Sequence, residues 1–184
     1  MRTALRALLG DPAFVAIVLQ QIFASSPFIF QEYYGLSSFS YGILFGVMAL
    51  GITLGAALSS RQSSPELAML AGAAGLLGAA VLLAVAYAVG ASLLWITPVY
   101  FVLLVMLGIT LPAAMTAALS RHRARSGLAA AVLGAVGFGG GGLVAPLTTL
   151  GTPTVTTACL FIVSAVALVV IGIALRRFTR ESRV

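Results

Sequence analysis

Lysine is absent from this chain, so all ten of its cationic side chains are arginine; acids number only four, and there is one histidine, one cysteine and one tryptophan. Each scarcity excludes something. With 8% charged residues against 61% hydrophobic ones, the chain cannot coat itself with the roughly one-quarter charged composition of a soluble domain. One cysteine, Cys159, excludes an intrachain disulfide framework and any cysteine-based metal site. Cys159 lies in the last apolar run, where a small buried apolar role is the plain expectation. One histidine, His122, sits in an arginine-rich loop, Arg121 to Arg125. Intramembrane serine chemistry needs a base beside its nucleophile, and this histidine lies outside every apolar run. Asp11, Glu32, Glu66 and Glu181 all fall at or beyond the ends of the runs. No carboxylate pair is therefore available at depth, and no phosphate-binding loop occurs either. These absences point away from an enzyme and from any cofactor or metal.

Long apolar runs are what the chain does have. Six of them, about Pro12–Phe30, Phe39–Ser60, Leu67–Val89, Leu93–Leu119, Leu128–Leu150 and Val155–Leu175, each approach or exceed the length that spans a bilayer. Arginine occurs only before the first run, after the second, after the fourth and after the sixth, and the other connections have none. Short cytoplasmic segments are enriched in basic residues. The pattern predicts a multi-pass protein with both termini cytoplasmic, and reads the net charge of +6 as an orientation signal, with no nucleic-acid partner implied. An N-terminal signal peptide is not expected. Asp11-Pro12 separates Arg2 and Arg6 from the first run, and no small-x-small cleavage site is evident.

The expected fold is all-α and integral to the membrane: one six-helix transmembrane bundle over residues 1–184, with the lipid bilayer as its surroundings. Short connections predict that sequential helices lie antiparallel and adjacent. Glycine pairs at helical spacing, Gly42/Gly46, Gly51/Gly55 and Gly137/Gly141, together with Gly72, Gly75 and Gly78, predict close helix approach. Four consecutive glycines, Gly139 to Gly142, weaken the fifth run, while Pro27, Pro98, Pro112 and Pro146 interrupt the hydrogen-bond ladder of their helices. A faint internal echo also exists. Phe45-Gly46, Gly51 and Ala57 recur as Leu133-Gly134, Gly139 and Ala145 at a constant offset of 88 residues. A three-plus-three repeat has an odd number of helices per unit, so its two units must be inverted in the membrane.

Uncharged polar residues carry what chemistry remains. Gln20, Gln21, Ser25 and Ser26 in the first run, Thr97, Tyr100 and Thr110 in the fourth and Phe138 in the fifth suit a mostly apolar cavity for an amphipathic solute. The plainer reading has these groups bridging helices. Glu32, between Gln31 and Tyr33-Tyr34, is a possible outer gate or proton-sensing carboxylate; the plainer reading is a solvated loop acid.

Ser26-Pro27-Phe28, Gln31, Tyr34-Gly35-Leu36-Ser37, Phe39, Phe45-Gly46, Ala49-Leu50-Gly51 and Arg61 resemble the second half of Bcr/CflA-type multidrug efflux transporters of the major facilitator superfamily. Pro112, Ala117-Ala118-Leu119, Gly127, Leu133-Gly134 and Ala145-Pro146-Leu147 continue the likeness through essentially the whole chain. The resemblance implies helices seven to twelve of a twelve-helix drug/proton antiporter in a bacterial inner membrane, with protons and an amphipathic small molecule as its ligands. The half of such a transporter that usually carries the proton-coupling carboxylate is the other one. Met48, Leu128, Ala130 and Gly137 stand where the family usually has polar residues, which weakens the expectation of its polar substrate contacts. Alternating access needs two bundles, so the chain is expected to act as a homodimer or with a separately encoded N-terminal half. The competing expectation is a non-transporting membrane partner or assembly subunit, or a truncated inactive fragment.

Overall fold

A computed structural model describes residues 31, 34–62, 64–121, 127, 131, 135 and 153–181, with side chains for residues 31, 34–62, 64–116, 127, 131, 135 and 158–173. Helices α1 (Ser38–Ser60), α2 (Pro65–Ala88), α3 (Leu93–Arg121) and α4 (Pro153–Glu181) make up its regular structure. They occupy the second, third, fourth and sixth apolar runs, and no strand occurs among the described residues. The first and fifth runs, the glycine run Gly139–Gly142 and the internal echo lie outside the described residues. Three of the helices are long and apolar enough to cross a membrane: α1 with 23 residues, α2 with 24 and the Leu93–Thr116 part of α3 with 24. At about 1.5 Å rise per residue they exceed the roughly 30 Å hydrocarbon core. Leu50, Val163 and Trp95 are each about two-thirds exposed or more. Apolar faces this open belong in lipid, where nothing drives them to bury against one another. The protein is a membrane protein.

Local chemistry sets the helix ends. Ser37 caps α1 by accepting a hydrogen bond from the Ser40 amide at 3.2 Å. Ser64 caps α2 through the Leu67 amide at 3.2 Å, with Pro65 in the first turn where its missing N–H costs nothing. At the far end of α2, Gly90 adopts φ +68°. The Ala91 amide then reaches back to the Ala86 carbonyl at 2.9 Å, closing the helix in a glycine-dependent C-cap. The short connection Gly90-Ala91-Ser92 is thus a helix stop followed by the next start. Inside the helices, the hydroxyls of Thr53, Thr97, Thr110, Thr116 and Ser164 each donate to the carbonyl four residues earlier in their own helix, at 2.7–3.0 Å.

The packing order departs from the sequence order. The extensive contacts are α1 with α3, α2 with α3, and α2 with α4. The second and third runs, joined by a short turn, were expected to lie side by side, yet α3 is the helix that packs extensively on both. Glycine explains the choice. A Cβ on Gly55 would overlap the Val105 carbonyl oxygen and lie 2.9 Å from the Gly108 Cα, and one on Gly108 would overlap the Ile52 carbonyl. At this crossing α1 and α3 touch backbone to backbone. Gly51 packs one turn away against the Phe101 ring. On the other side of α3, Gly72 lies against Thr110 and Gly75 against Met106. A Cβ added at Gly42, Gly46 or Gly78 would meet nothing within 4 Å among the described residues, so within that set only Gly51, Gly55, Gly72 and Gly75 of the expected glycines form packing faces.

These pairings also set direction. Gly51 with Phe101 and Gly55 with Gly108 rise together, so α1 and α3 run parallel; Gly72 with Thr110 and Gly75 with Met106 run oppositely. Gly172, late in α4, packs on Leu70, early in α2, so α4 is antiparallel to α2. Arg61, Arg121 and the last turns of α4 with Arg176, Arg177 and Arg180 therefore share one end of the assembly. Exposed Phe39 and Trp95 share the other, where amphipathic rings suit a membrane interface. The core lies between α2, α3 and α4, with Met69, Leu76, Leu83, Ile96, Tyr100, Leu103, Phe161 and Leu168 fully buried.

Candidate functional site

Three of the expected cavity residues, Thr97, Tyr100 and Thr110, fall among the described ones. Tyr100, on α3, is fully buried and meets Phe161 of α4 edge-on, with ring centroids 6.1 Å apart and planes at 62°. Thr110 is fully buried too. Its hydroxyl donates to the Met106 carbonyl at 2.7 Å, and its side chain fills the space left by Gly72 on α2. Tyr100 and Thr110 sit in helix–helix seams. Gln20, Gln21, Ser25 and Phe138, the outer-gate candidate Glu32, and the expected helix interruptions Pro27 and Pro146 lie outside the described residues. Thr97 donates to Leu93 at 2.8 Å near the start of α3. Met48, at a position where the resemblance led one to look for a polar group, is buried.

Pro112 lies within α3, which continues past it to Arg121. A proline at this position cannot donate to the carbonyl four residues earlier. That carbonyl belongs to Gly108, the residue at the α1 crossing. The Thr116 hydroxyl donates to the Pro112 carbonyl at 2.8 Å, one turn further on.

Beyond the crossing, toward the arginine end, α1 and α3 leave a cleft of about 270 Å³ between them. Ala56, Ser59 and Ser60 of α1, Gln62 of the following turn, Pro65 at the start of α2, and Pro112, Ala113 and Thr116 of α3 line it. The sequence reading did not single out these residues. A signal was present: the polar run Ser59-Ser60-Arg61-Gln62 ends an apolar helix, and Thr116 stands one turn beyond Pro112. Gly108 was overlooked for a related reason. It stands alone in a run of large apolar residues, without a glycine partner at helical spacing.

One expectation is corrected. Cys159 is exposed. Among the described side chains of α4 the buried positions are Ala158, Phe161, Ser164, Ala165, Leu168 and Gly172, a single stripe toward α2, with Phe161 also meeting Tyr100 of α3, and Cys159 falls beside it. Among the described residues, no group of three or more His, Cys, Asp or Glu residues is placed to hold a metal ion.

No family model and no solved structure matches the chain. Over 148 residues, 78% of this chain, it is 28% identical to the uncharacterized MFS-type transporter YdgK of Bacillus subtilis (strain 168). The match covers 37% of that relative, so the chain spans little more than a third of the length of the curated protein it resembles. The likeness is to a transporter of the major facilitator type, a class that is not enzymatic.

Proposed function

We propose that the chain forms the C-terminal six-helix half of a proton-coupled exporter of amphipathic small molecules. The observation that carries this reading is the likeness to part of an MFS-type transporter, in a chain built of membrane-length helices that cross through glycine. In this reading the two sets of three helices are inverted repeats, and the arginine end faces the cytoplasm of a bacterial cell. Gln20, Gln21, Ser25 and Phe138 line the solute path, and Tyr100 and Thr110 hold the helices around it. Alternating access rocks two bundles about a central site. The chain alone accordingly does not carry out coupled transport; it works as a homodimer or with a separately encoded N-terminal half, and where that half is present it supplies the coupling carboxylate.

The test uses vesicles containing the full chain alone, or together with the six-helix N-terminal half of a major facilitator exporter. Movement of a fluorescent amphipathic dye against its gradient is followed with and without a protonophore. Protonophore-sensitive movement that requires both halves, or a homodimer, agrees with the proposal, and Gln21→Leu then changes the apparent dye affinity. Stable association of the two halves without dye movement supports a non-transporting partner instead.

A further inference from the structure

The cleft at the arginine end has a graded lining. Its deeper wall is apolar, formed by Ala56, Pro112 and Ala113, while Ser59, Ser60, Gln62 and Thr116 supply polar groups. Arg61, exposed, stands between two of the lining residues, Ser60 and Gln62. Donors and acceptors here are unequal. Ser60 spends its hydroxyl proton on the Ala57 carbonyl at 2.8 Å, and Thr116 spends its own on Pro112 at 2.8 Å. Each of these two oxygens can then only accept. Arg61 and the Gln62 amide can donate, and the guanidinium suits a phosphate.

We propose that this cleft seats a phospholipid whose headgroup both carries a phosphate and donates hydrogen bonds, as phosphatidylglycerol does. The phosphate takes the donors of Arg61 and Gln62. The headgroup hydroxyls give their protons to the oxygens of Ser60 and Thr116. The glycerol and the first acyl carbons lie along Ala56 and Ala113. The apolar wall favours the lipid over a small free anion, which has nothing to lay along Ala56 and Ala113. Phosphocholine carries no N–H or O–H, so it leaves the two acceptors unanswered. This inference needs only that the chain is embedded in a membrane, and stands apart from the transport reading.

The experiment measures the melting temperature of the full chain, purified in detergent, against added phosphatidylglycerol, phosphatidylcholine or inorganic phosphate. Phosphatidylglycerol is expected to raise the melting temperature saturably and phosphatidylcholine not to. Arg61→Ala, at an exposed position, should leave the lipid-free melting temperature unchanged and raise the half-saturating lipid concentration about tenfold, as loss of a charged phosphate contact does. Ala113→Leu fills the apolar wall and should abolish the response. An equal response to phosphatidylcholine, or a wild-type response in Arg61→Ala, overturns the proposal. A full effect from inorganic phosphate alone also overturns it, by assigning the site to a soluble anion.

Discussion

Replacing Gly55 by alanine adds one methyl group at a point where two helices touch through their backbones. That methyl would overlap the Val105 carbonyl oxygen and stand 2.9 Å from both the Gly108 Cα and the Ile109 nitrogen. None of these obstructing atoms belongs to a flexible side chain, so α1 and α3 must separate along the crossing. Overpacking of this kind costs about 1–3 kcal/mol, and rigid obstacles place Gly55→Ala at the upper end. Alanine regains about 1 kcal/mol as the better helix former, leaving a net loss of about 2 kcal/mol. Gly46→Ala, about two and a half turns earlier in the same helix, is the internal control: among the described residues nothing lies within 4 Å of its added Cβ. It should be neutral or stabilising by up to about 1 kcal/mol. Thermal unfolding of the detergent-solubilised protein, followed by Trp95 fluorescence, should lower the midpoint for Gly55→Ala by several degrees and leave it unchanged or raised for Gly46→Ala. Gly108→Ala should resemble Gly55→Ala. The double variant should lose less than the two single losses combined, because the helices are already apart. Equal shifts for Gly55→Ala and Gly46→Ala would refute the crossing.

Two further outcomes follow. Phe161→Ala and Tyr100→Ala should each destabilise by about 3–5 kcal/mol, with a coupling of about 0.5–1.5 kcal/mol between the rings in a double-mutant cycle; additivity would deny the edge-on contact. In a Cys159→Ser background, a cysteine at Ala91 should react with a charged thiol reagent added outside intact cells, and one at Gln62 should not; the opposite labelling would invert the orientation read from the arginines.

Much of the fold was legible because lipid imposes a simple rule: an apolar run of membrane length becomes a helix. Helices α1 to α4 lie on four such runs. The neighbours of each helix were not legible. A helix apolar on all sides has no polar face to mark its outside, so periodicity cannot select the packing stripe. Gly42/Gly46 and Gly51/Gly55 look alike in sequence, and among the described residues only the second pair meets another helix. Cys159 misled for the same reason, since an apolar run does not tell its buried stripe from its lipid-facing one. The cleft at the arginine end was hidden differently. Its lining comes from α1, the following turn, the start of α2 and α3, and depends on two parallel helices diverging beyond a crossing whose second glycine, Gly108, had no obvious partner.

The threonine and serine hydroxyls inside the helices bear on how the protein is made. Thr53, Thr97, Thr110, Thr116 and Ser164 each satisfy their donor within their own helix. An unsatisfied polar group in hydrocarbon costs several kcal/mol. A helix that brought such a group into the bilayer would have to wait for its neighbour before leaving the insertion machinery. These helices need not wait: each of the five hydroxyl protons has its acceptor as soon as its own turn has formed. Insertion can proceed one segment at a time as the ribosome delivers them, and the glycine crossings can close afterwards, when α3 arrives to meet α1 and α2.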